Sequence, residues 1–237
     1  MIERRDITKL DLVKTVETLK RDGVSCDIDG VEAATAFLSL REYNLLHGYK
    51  KGNPKVMDDV KEYGIMINWF REDPEIVDPA EEAVSIWNSR QVIENAQRVE
   101  GFLSFAQFLS GKGISPYRIT SRPGYTYEWT KSWYLSKYGP NFDLNLIRMQ
   151  RDINSITNPD FKAQEIKKLG IGYHFEDSFE NAELIVAKSD ATVVIVPQPW
   201  NMNYEPTHPR ILITEGFQHR MKMISAFLTL AEHITYQ

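Results

Sequence analysis

Short apolar segments alternate with helical segments from residue 99 to the end of the chain, and this alternation limits the possible folds more than any other feature. The clearest segment is 191–196, a continuous run rich in β-branched residues, which is typical of a buried parallel strand. Further strands are predicted over 114–120, 143–149 and 171–175. Strands that alternate with helices form right-handed βαβ units. The sequence therefore predicts an α/β fold with a parallel sheet covered by helices on both faces.

The first part of the chain has a different character. An amphipathic helix over 7–20 ends near Gly23, and a short strand over 24–27 follows. Residues 32–98 then show helical patterns without a clear strand, with helices predicted over 33–46, 56–70 and 79–96. This segment is rich in aromatic residues: Tyr43, Tyr49, Tyr63, Trp69, Phe70 and Trp87. Aromatic rings at helical spacing are usually core residues, and stacking on a nucleobase is the less common alternative.

Composition narrows the possible partners. The chain has 237 residues and a net charge of −5 without a basic block, so we expect no nucleic-acid polymer as a partner. Cys26 is the only cysteine, which excludes an intrachain disulfide and a cysteine-based zinc cluster. No apolar run reaches the ~20 residues that span a bilayer, and the first residues do not resemble a signal peptide. We therefore expect a cytoplasmic protein without a membrane partner.

Residues 23–31 contain two carboxylates and a glycine at the end of the predicted first strand. Asp27 and Asp29 are two positions apart, and Gly30 allows a sharp turn directly after them. Crowded carboxylates repel each other and favour a cation between them. Asp and Gly also dominate ordinary β-turns. This stretch alone fits a turn and a functional site equally well.

The ends of two other predicted strands favour the site. Ligands of parallel sheets bind beyond the carboxyl ends of the strands. Polar side chains follow three of the predicted strands here: Asp27 and Asp29; Thr120, Ser121 and Arg122; Glu176, Asp177 and Ser178. Turn residues placed only for chain reversal are not expected to recur in this way. The pattern therefore predicts one polar site built from three strand ends.

The residue types at these strand ends suit phosphoryl transfer. Clustered carboxylates provide the hard oxygen ligands that Mg²⁺ prefers. One carboxylate can attack phosphorus to form an aspartyl-phosphate, while a second carboxylate transfers the proton of the leaving group and then of water. Hydroxyl groups and a lysine can hold the phosphoryl oxygens.

The same residues resemble a known family. Asp27-x-Asp29-Gly-Val, Ile-Thr120-Ser121-Arg-Pro, a following lysine and Phe-Glu176-Asp177-Ser are similar to motifs I to IV of the haloacid dehalogenase-like (HAD) superfamily. The resemblance implies a Rossmann-like three-layer α/β/α core with a parallel sheet and an inserted helical cap. It divides the chain into core residues 1–31, cap residues 32–98 and core residues 99–237. It also implies a Mg²⁺-dependent phosphatase.

The resemblance assigns roles to the acidic residues. Asp27 is implied as the nucleophile and Asp29 as the general acid and base. The Asp27 carboxylate, the Asp29 backbone carbonyl and Asp177 are implied as Mg²⁺ ligands. Glu176 stands where many relatives have a second aspartate, and its longer side chain is expected to reach metal-bound water.

It also assigns the phosphate ligands. Thr120 is implied as the motif II ligand, with Ser121 as its neighbour or substitute. Lys162 has the usual place of the motif III lysine, and Lys167 and Lys168 are the alternatives. Arg122 is a candidate for substrate binding, with a salt bridge as the equally plausible alternative.

A narrower resemblance points to the 5′(3′)-deoxyribonucleotidase branch. It is carried by Thr-Ser-Arg-Pro123, by a following helix with Thr130 and Trp133, and by Pro-Gln-Pro-Trp200-Asn201. This branch implies a nucleoside monophosphate as the substrate. A phosphatase for sugar or other small phosphates and a non-catalytic phosphate- or metal-binding module are the alternatives. A homodimer through the predicted C-terminal helix over 216–234 or through the cap is left open.

Overall fold

The computed structural model describes residues 7–62, 64–149, 160–202, 204–214 and 222–236. In these ranges six strands form one parallel sheet in the order β3-β2-β1-β4-β5-β6. The strands are β1 (Val24–Cys26), β2 (Tyr117–Thr120), β3 (Ile147–Met149), β4 (Tyr173–Glu176), β5 (Thr192–Ile195) and β6 (Ile211–Ile213). Strand β1 therefore lies between β2 and β4, which brings the three polar strand ends side by side.

Helices cover both faces of this sheet. The helices of the described residues are α1 (Lys9–Asp22), α2 (Thr35–Tyr43), α3 (Ile65–Arg71), α4 (Pro79–Trp87), α5 (Arg90–Asn95), α6 (Phe102–Gly111), α7 (Tyr127–Tyr138), α8 (Phe161–Leu169), α9 (Phe179–Lys188) and α10 (Lys222–Tyr236). Helices α1, α6 and α10 pack on one face together with Val194, whereas α8 and α9 pack on the other face together with Val193 and Ile195. This alternation confirms the predicted three-layer α/β/α core. The start of the predicted C-terminal helix, at residue 216, lies outside the described residues.

No helix in the described part of the chain is both long enough and apolar enough to cross a lipid bilayer.

Helices α2 to α5 lie between β1 and α6 in the chain, where the resemblance places an inserted cap. Helices α2, α3 and α4 share a hydrophobic core of their own, which contains the buried rings of Tyr43, Trp69 and Phe70. These rings pack against one another at centroid distances of 5.0 and 5.3 Å from Tyr43. They are therefore core residues, while Tyr63 lies outside the described residues.

The two ends of this helical segment leave the core next to each other. Ala33 and Arg98 form an antiparallel bridge. The Val99 N–H donates to the Glu32 carbonyl at 2.8 Å, and the Ala34 N–H donates to the Gln97 carbonyl at 2.7 Å. Helix α5 packs against the core helix α7. The domain boundaries at residues 31 and 98 stay a prediction.

Several elements differ in length from the predictions. The predicted helix 56–70 is replaced by a short 3₁₀ turn at Met57–Asp59 and by α3, and the predicted helix 79–96 is split into α4 and α5. The split occurs because Ser89 caps α5: its hydroxyl accepts the Val92 N–H at 3.2 Å. Strand β6 was not predicted, since three apolar residues at a sheet edge give little periodic signal.

Candidate active site

The three polar strand ends meet at the carboxyl edge of the sheet. Asp27 directly follows β1, and its N–H donates to the Phe175 carbonyl of β4 at 2.8 Å. Thr120 ends β2 and Glu176 ends β4. All three of these polar side chains are buried, with Asp27 only 4% exposed. The topology therefore brings the predicted motifs I, II and IV together.

Lys162 joins two of these acidic residues. From the first turn of α8, its Nζ lies 2.7 Å from Asp27 Oδ2 and 2.7 Å from Glu176 Oε2. Burial disfavours the charged ammonium, but the two carboxylates outweigh burial and raise the pKa of Lys162. Lys167 and Lys168 lie exposed on the same helix, and Lys168 pairs with Glu165 instead. Of the three candidate lysines, Lys162 is the one that reaches Asp27.

Asp27, Glu176 and Asp177 form a buried acidic cluster, in which one carboxylate oxygen from each lies within 4.8 Å of the others. Burial raises the pKa of Asp27 and of Asp177, and repulsion from neighbouring carboxylates adds to this effect. A divalent cation would offset this repulsion, and three carboxylates offer the oxygen ligands that Mg²⁺ prefers. The donor set therefore fits the metal that the resemblance implies.

The turn after Asp27 is shaped to let this cluster form. Gly30 has a φ of 71°, and a Cβ atom on Gly30 would overlap the Asp177 carboxylate. The Asp27 carboxylate is itself fixed, because its Oδ1 accepts the Ile28 N–H at 2.7 Å. The glycine that suggested a simple turn thus leaves space for an acidic side chain of the site.

The Glu176 carboxylate is fixed by several hydrogen bonds within the protein, which the sequence did not predict. Its Oε1 accepts the N–H groups of Asp177 and Ser178 at 3.1 and 3.2 Å, and its Oε2 accepts from Lys162. Burial alone would raise the pKa of Glu176, but Lys162 and His174 outweigh burial and lower it. The Glu176 carboxylate is a member of the acidic cluster rather than a more distant group.

His174 and Ser25 extend this network and were not predicted as site residues. His174 Nε2 lies 3.3 Å from Glu176 Oε2, and its Nδ1 lies 2.8 Å from Ser25 Oγ. Both residues are fully buried in neighbouring strands, and burial lowers the pKa of His174. The available sequence signal was a polar residue inside each of two short central strands.

Asp29 forms a partly buried salt bridge with Arg122. Arg122 Nη2 donates to Asp29 Oδ1 at 2.7 Å, and Arg122 Nε donates to Asp29 Oδ2 at 2.9 Å. The remaining guanidinium nitrogen, Nη1, donates to Thr130 Oγ1 at 3.0 Å. The structure thus shows the salt bridge that was the alternative to substrate binding by Arg122.

Thr120 and Ser121 lie at the end of β2, as predicted. Thr120 Oγ1 accepts the Arg122 N–H at 3.2 Å. The Ser121 hydroxyl is shielded from solvent and has no hydrogen-bond partner among the described residues. A buried hydroxyl without a partner is costly, so this group suits a ligand oxygen such as that of a phosphate.

A cavity of about 330 Å³ opens beside Asp177. The loop after β5 contributes Trp200, whose Nε1 donates to the Asp177 carbonyl at 3.2 Å, and Asn201, whose Nδ2 donates to the same carbonyl at 2.9 Å. The residues that line the cavity are Lys61, Glu62, Asp177, Ser178, Phe179, Glu180, Trp200, Asn201 and Tyr204. The cavity lies between the helical segment and the core.

Helix α10 also reaches the turn that carries Gly30. Lys222 Nζ donates to Gln198 Oε1 at 2.7 Å, and the Gln198 side-chain amide donates to the Gly30 carbonyl. Burial lowers the pKa of Lys222. These contacts join distant parts of the chain, and no local sequence pattern indicated them.

Comparisons with known proteins agree on the fold. No family model and no curated protein matches the sequence. Among solved structures, a HAD hydrolase of family IA, variant 3, from Entamoeba histolytica HM-1:IMSS matches 87% of this chain and 99% of its own chain, with a TM-score of 0.55 and 15% identity. A conserved haloacid dehalogenase-like protein of unknown function from Agrobacterium tumefaciens str. C58 matches 86% of this chain and 96% of its own, with a TM-score of 0.55 and 14% identity.

At these identities the similarity shows the fold alone. The chain has the Rossmann-like α/β fold of HAD hydrolases, as the four sequence motifs implied. Neither neighbour is described as a nucleotidase, so the narrower resemblance to the deoxyribonucleotidase branch gains no support.

Proposed function

We propose that the protein is a Mg²⁺-dependent phosphomonoesterase in which Asp27 forms an aspartyl-phosphate. The observation that carries this proposal is the position of the Asp27 carboxylate. It lies 2.7 Å from the Lys162 ammonium, within the acidic cluster, at the strand end next to Thr120. This arrangement combines a nucleophile, a cation that balances phosphoryl charge and hydroxyl ligands for phosphoryl oxygens.

The reaction has two steps. In the first step a carboxylate oxygen of Asp27 attacks phosphorus, the bond from phosphorus to the ester oxygen breaks, and Asp29 transfers a proton to that oxygen. In the second step Asp29, now a carboxylate, takes a proton from water as the water oxygen attacks phosphorus. The bond from phosphorus to the Asp27 oxygen then breaks, which releases inorganic phosphate and restores both aspartates.

Three carboxylates would hold the metal: those of Asp27, Glu176 and Asp177. A bound Mg²⁺ would neutralise part of the negative charge of the phosphoryl group. Lys162 supplies a second positive charge from the protein itself, and Ser121 offers a buried hydroxyl to a phosphoryl oxygen. The resemblance also implies the Asp29 backbone carbonyl as a ligand.

For the substrate we propose a nucleoside monophosphate. The support comes from the cavity beside Asp177, which is lined by the aromatic side chains of Trp200 and Tyr204. Its volume of about 330 Å³ lies at the lower end of the range for small-ligand sites. A nucleobase could stack on these aromatic side chains, because every base offers a π-face for stacking. A sugar phosphate is the alternative that the substrate panel below separates.

The test is phosphate release from the purified protein with and without Mg²⁺. The panel contains p-nitrophenyl phosphate, nucleoside 5′- and 3′-monophosphates, hexose phosphates and glycerol phosphate. We expect Asp27→Asn to abolish release, while Asp190→Asn, an exposed aspartate after α9, retains it. Tight phosphate binding without turnover of any panel member would instead indicate a non-catalytic binding module. Faster turnover of hexose phosphates than of nucleotides would contradict the substrate proposal alone.

A further inference from the structure

We propose that Arg122 is a positioning residue that fixes the Asp29 carboxylate for proton transfer and does not contact the substrate. This inference rests on the proposed function and adds a role within the same site. The sequence made Arg122 a candidate substrate ligand because it follows Thr120 and Ser121. The structure gives its side chain a different set of partners.

The contact between the two side chains fixes both the place and the rotation of the carboxylate. Two nitrogens of Arg122 donate to the two different oxygens of Asp29, at 2.7 and 2.9 Å. Such paired hydrogen bonds restrict direction as well as distance, because guanidinium and carboxylate are both planar. A proton donor that must meet a leaving-group oxygen needs this restriction, since small displacements of reacting groups reduce rates strongly.

The guanidinium is in turn anchored to the rigid core. Arg122 Nη1 donates to Thr130 Oγ1 at 3.0 Å, and Thr130 is a fully buried residue of α7. The same helix buries Trp133 and Tyr134 completely. Asp29 itself lies in the turn that leads into the helical segment and forms a bridge with Ala33. Arg122 therefore ties this turn to a core helix.

Burial argues against a direct role of Arg122 in phosphate binding. The side chain is only 2% exposed, and Nε, Nη1 and Nη2 each donate to a protein oxygen. Binding a phosphate through the two nitrogens that hold Asp29 would leave a mostly buried carboxylate without its partner, which is strongly unfavourable. The guanidinium is thus committed to Asp29.

A double-mutant cycle on kcat tests the proposal. We expect Arg122→Met to lower kcat for glycerol phosphate by about 100-fold, with little change in KM. The loss should be smaller for p-nitrophenyl phosphate, whose leaving group needs less help from a proton donor. In the Asp29→Asn background, the same Arg122→Met change should add almost no further loss, because the group that Arg122 positions is already inactive. Additive losses, or a raised KM with an unchanged kcat, would overturn the proposal.

Thr130 provides a milder variant in case Arg122→Met fails to fold. Thr130→Val removes the hydroxyl that anchors Arg122 while keeping the shape of the side chain, and we expect a several-fold drop in kcat. Thr126→Val is the matched control: Thr126 is also fully buried, but its hydroxyl donates to the Pro123 carbonyl at 2.8 Å. Equal effects of the two threonine variants on kcat would overturn the proposal.

A spectroscopic readout separates this inference from the proposed function. In protein labelled with ¹⁵N-arginine, the Nε–H of Arg122 should give a signal protected from exchange with water, and Asp29→Asn should remove that protection. A signal that Asp29→Asn leaves unchanged would overturn the inference even in an active enzyme. Absence of phosphate release by the unmodified protein would overturn the proposed function, whatever the signal shows.

Discussion

Gly30 and Asp177 approach each other so closely that no side chain fits between them. A Cβ atom on Gly30 would overlap the Asp177 carboxylate, and the φ of 71° at Gly30 is also one that other residues rarely adopt. The two residues belong to different motifs, 147 positions apart in the sequence. Their contact places the second acidic motif directly against the turn that follows Asp27.

We expect Gly30→Ala to reduce both stability and metal binding. A left-handed conformation at a non-glycine residue costs about 1–3 kcal/mol, and displacement of Asp177 adds to this loss. Gly113→Ala is the control, because Gly113 has a similar φ of 75° but open space around its Cβ position. Urea denaturation with and without Mg²⁺ measures both effects. If the two variants respond equally to Mg²⁺, the crowding at Asp177 has no role.

Lys162→Met should destabilise the fold strongly. The substitution leaves the carboxylates of Asp27 and Glu176 buried without their shared cation, and breaking a buried ion pair costs about 3–5 kcal/mol. Mg²⁺ should recover part of this loss, since it supplies positive charge to the same carboxylates. Lys168→Met, an exposed position on the same helix, should change the free energy of unfolding by less than about 0.5 kcal/mol. A Lys162→Met protein of unchanged stability would contradict the charge balance described above.

We expect the His174→Gln variant to lose less of its free energy of unfolding in mild acid than the parent protein does. Burial lowers the pKa of His174 in the folded protein, so below its ordinary value of 6.5 the unfolded state binds more protons. The free energy of unfolding therefore falls as the pH falls from 6.5 towards the folded pKa, by at most about 1.4 kcal/mol per pH unit. Burial also lowers the pKa of His233, so a smaller slope should remain in the variant.

Urea denaturation between pH 5 and 7 measures this slope, with His208→Gln as the control. His208 lies in the loop before β6 and accepts the Arg210 N–H at 3.1 Å. This hydrogen bond is separate from the contact between His174 and Glu176. The raised pKa values of Asp27 and Asp177 act in the opposite direction, because they give the folded state the additional protons. Their contribution is shared by the parent protein and both variants. If the free energy of unfolding changes equally with pH in all three proteins, His174 is not the group that causes the loss of stability in mild acid.

Trp200→Ala should raise KM for nucleoside monophosphates. Stacking of a base on an aromatic side chain contributes about 1–3 kcal/mol, which corresponds to roughly 5- to 150-fold in KM. Trp200→Phe keeps an aromatic ring but loses the Nε1–H that donates to the Asp177 carbonyl, so it separates stacking from positioning. Steady-state kinetics with glycerol phosphate gives the reference without a base. An equal rise in KM for both substrates would exclude stacking as the cause.

The general layout of the site was predictable because it follows from chain direction. In a parallel sheet every strand ends at the same edge, so Asp27, Thr120 and Glu176 had to lie near that edge once their strands were identified. Lys162 could be chosen as the first candidate because the resemblance implies a motif III lysine before β4, and the structure brings its ammonium to Asp27. The position of the strand ends thus needed only local patterns and one rule of topology, whereas the choice of the lysine needed the resemblance.

Contacts that depend on side-chain direction across elements could not be predicted in the same way. The partner of Arg122 is Asp29, 93 positions away, and the choice between a carboxylate and a substrate phosphate depends on the rotation of a long side chain. The network of His174 and Ser25 depends on the pairing register of β1 and β4. Strand β6 was missed because tertiary pairing, rather than its own three residues, determines that it is extended.

The adjacent ends of the helical segment have a consequence for how such a protein can change over evolutionary time. Because the hydrogen bonds between Glu32 and Val99 and between Ala34 and Gln97 keep the entry and exit points together, a replacement segment needs only two neighbouring attachment points. The sheet and the acidic cluster at its carboxyl edge would keep their structure during such an exchange. The contact between α5 and α7, where Val92 and Ala96 are buried, is the surface that any replacement must match. New specificities could thus be acquired by recombination of this segment while the chemical centre is inherited unchanged.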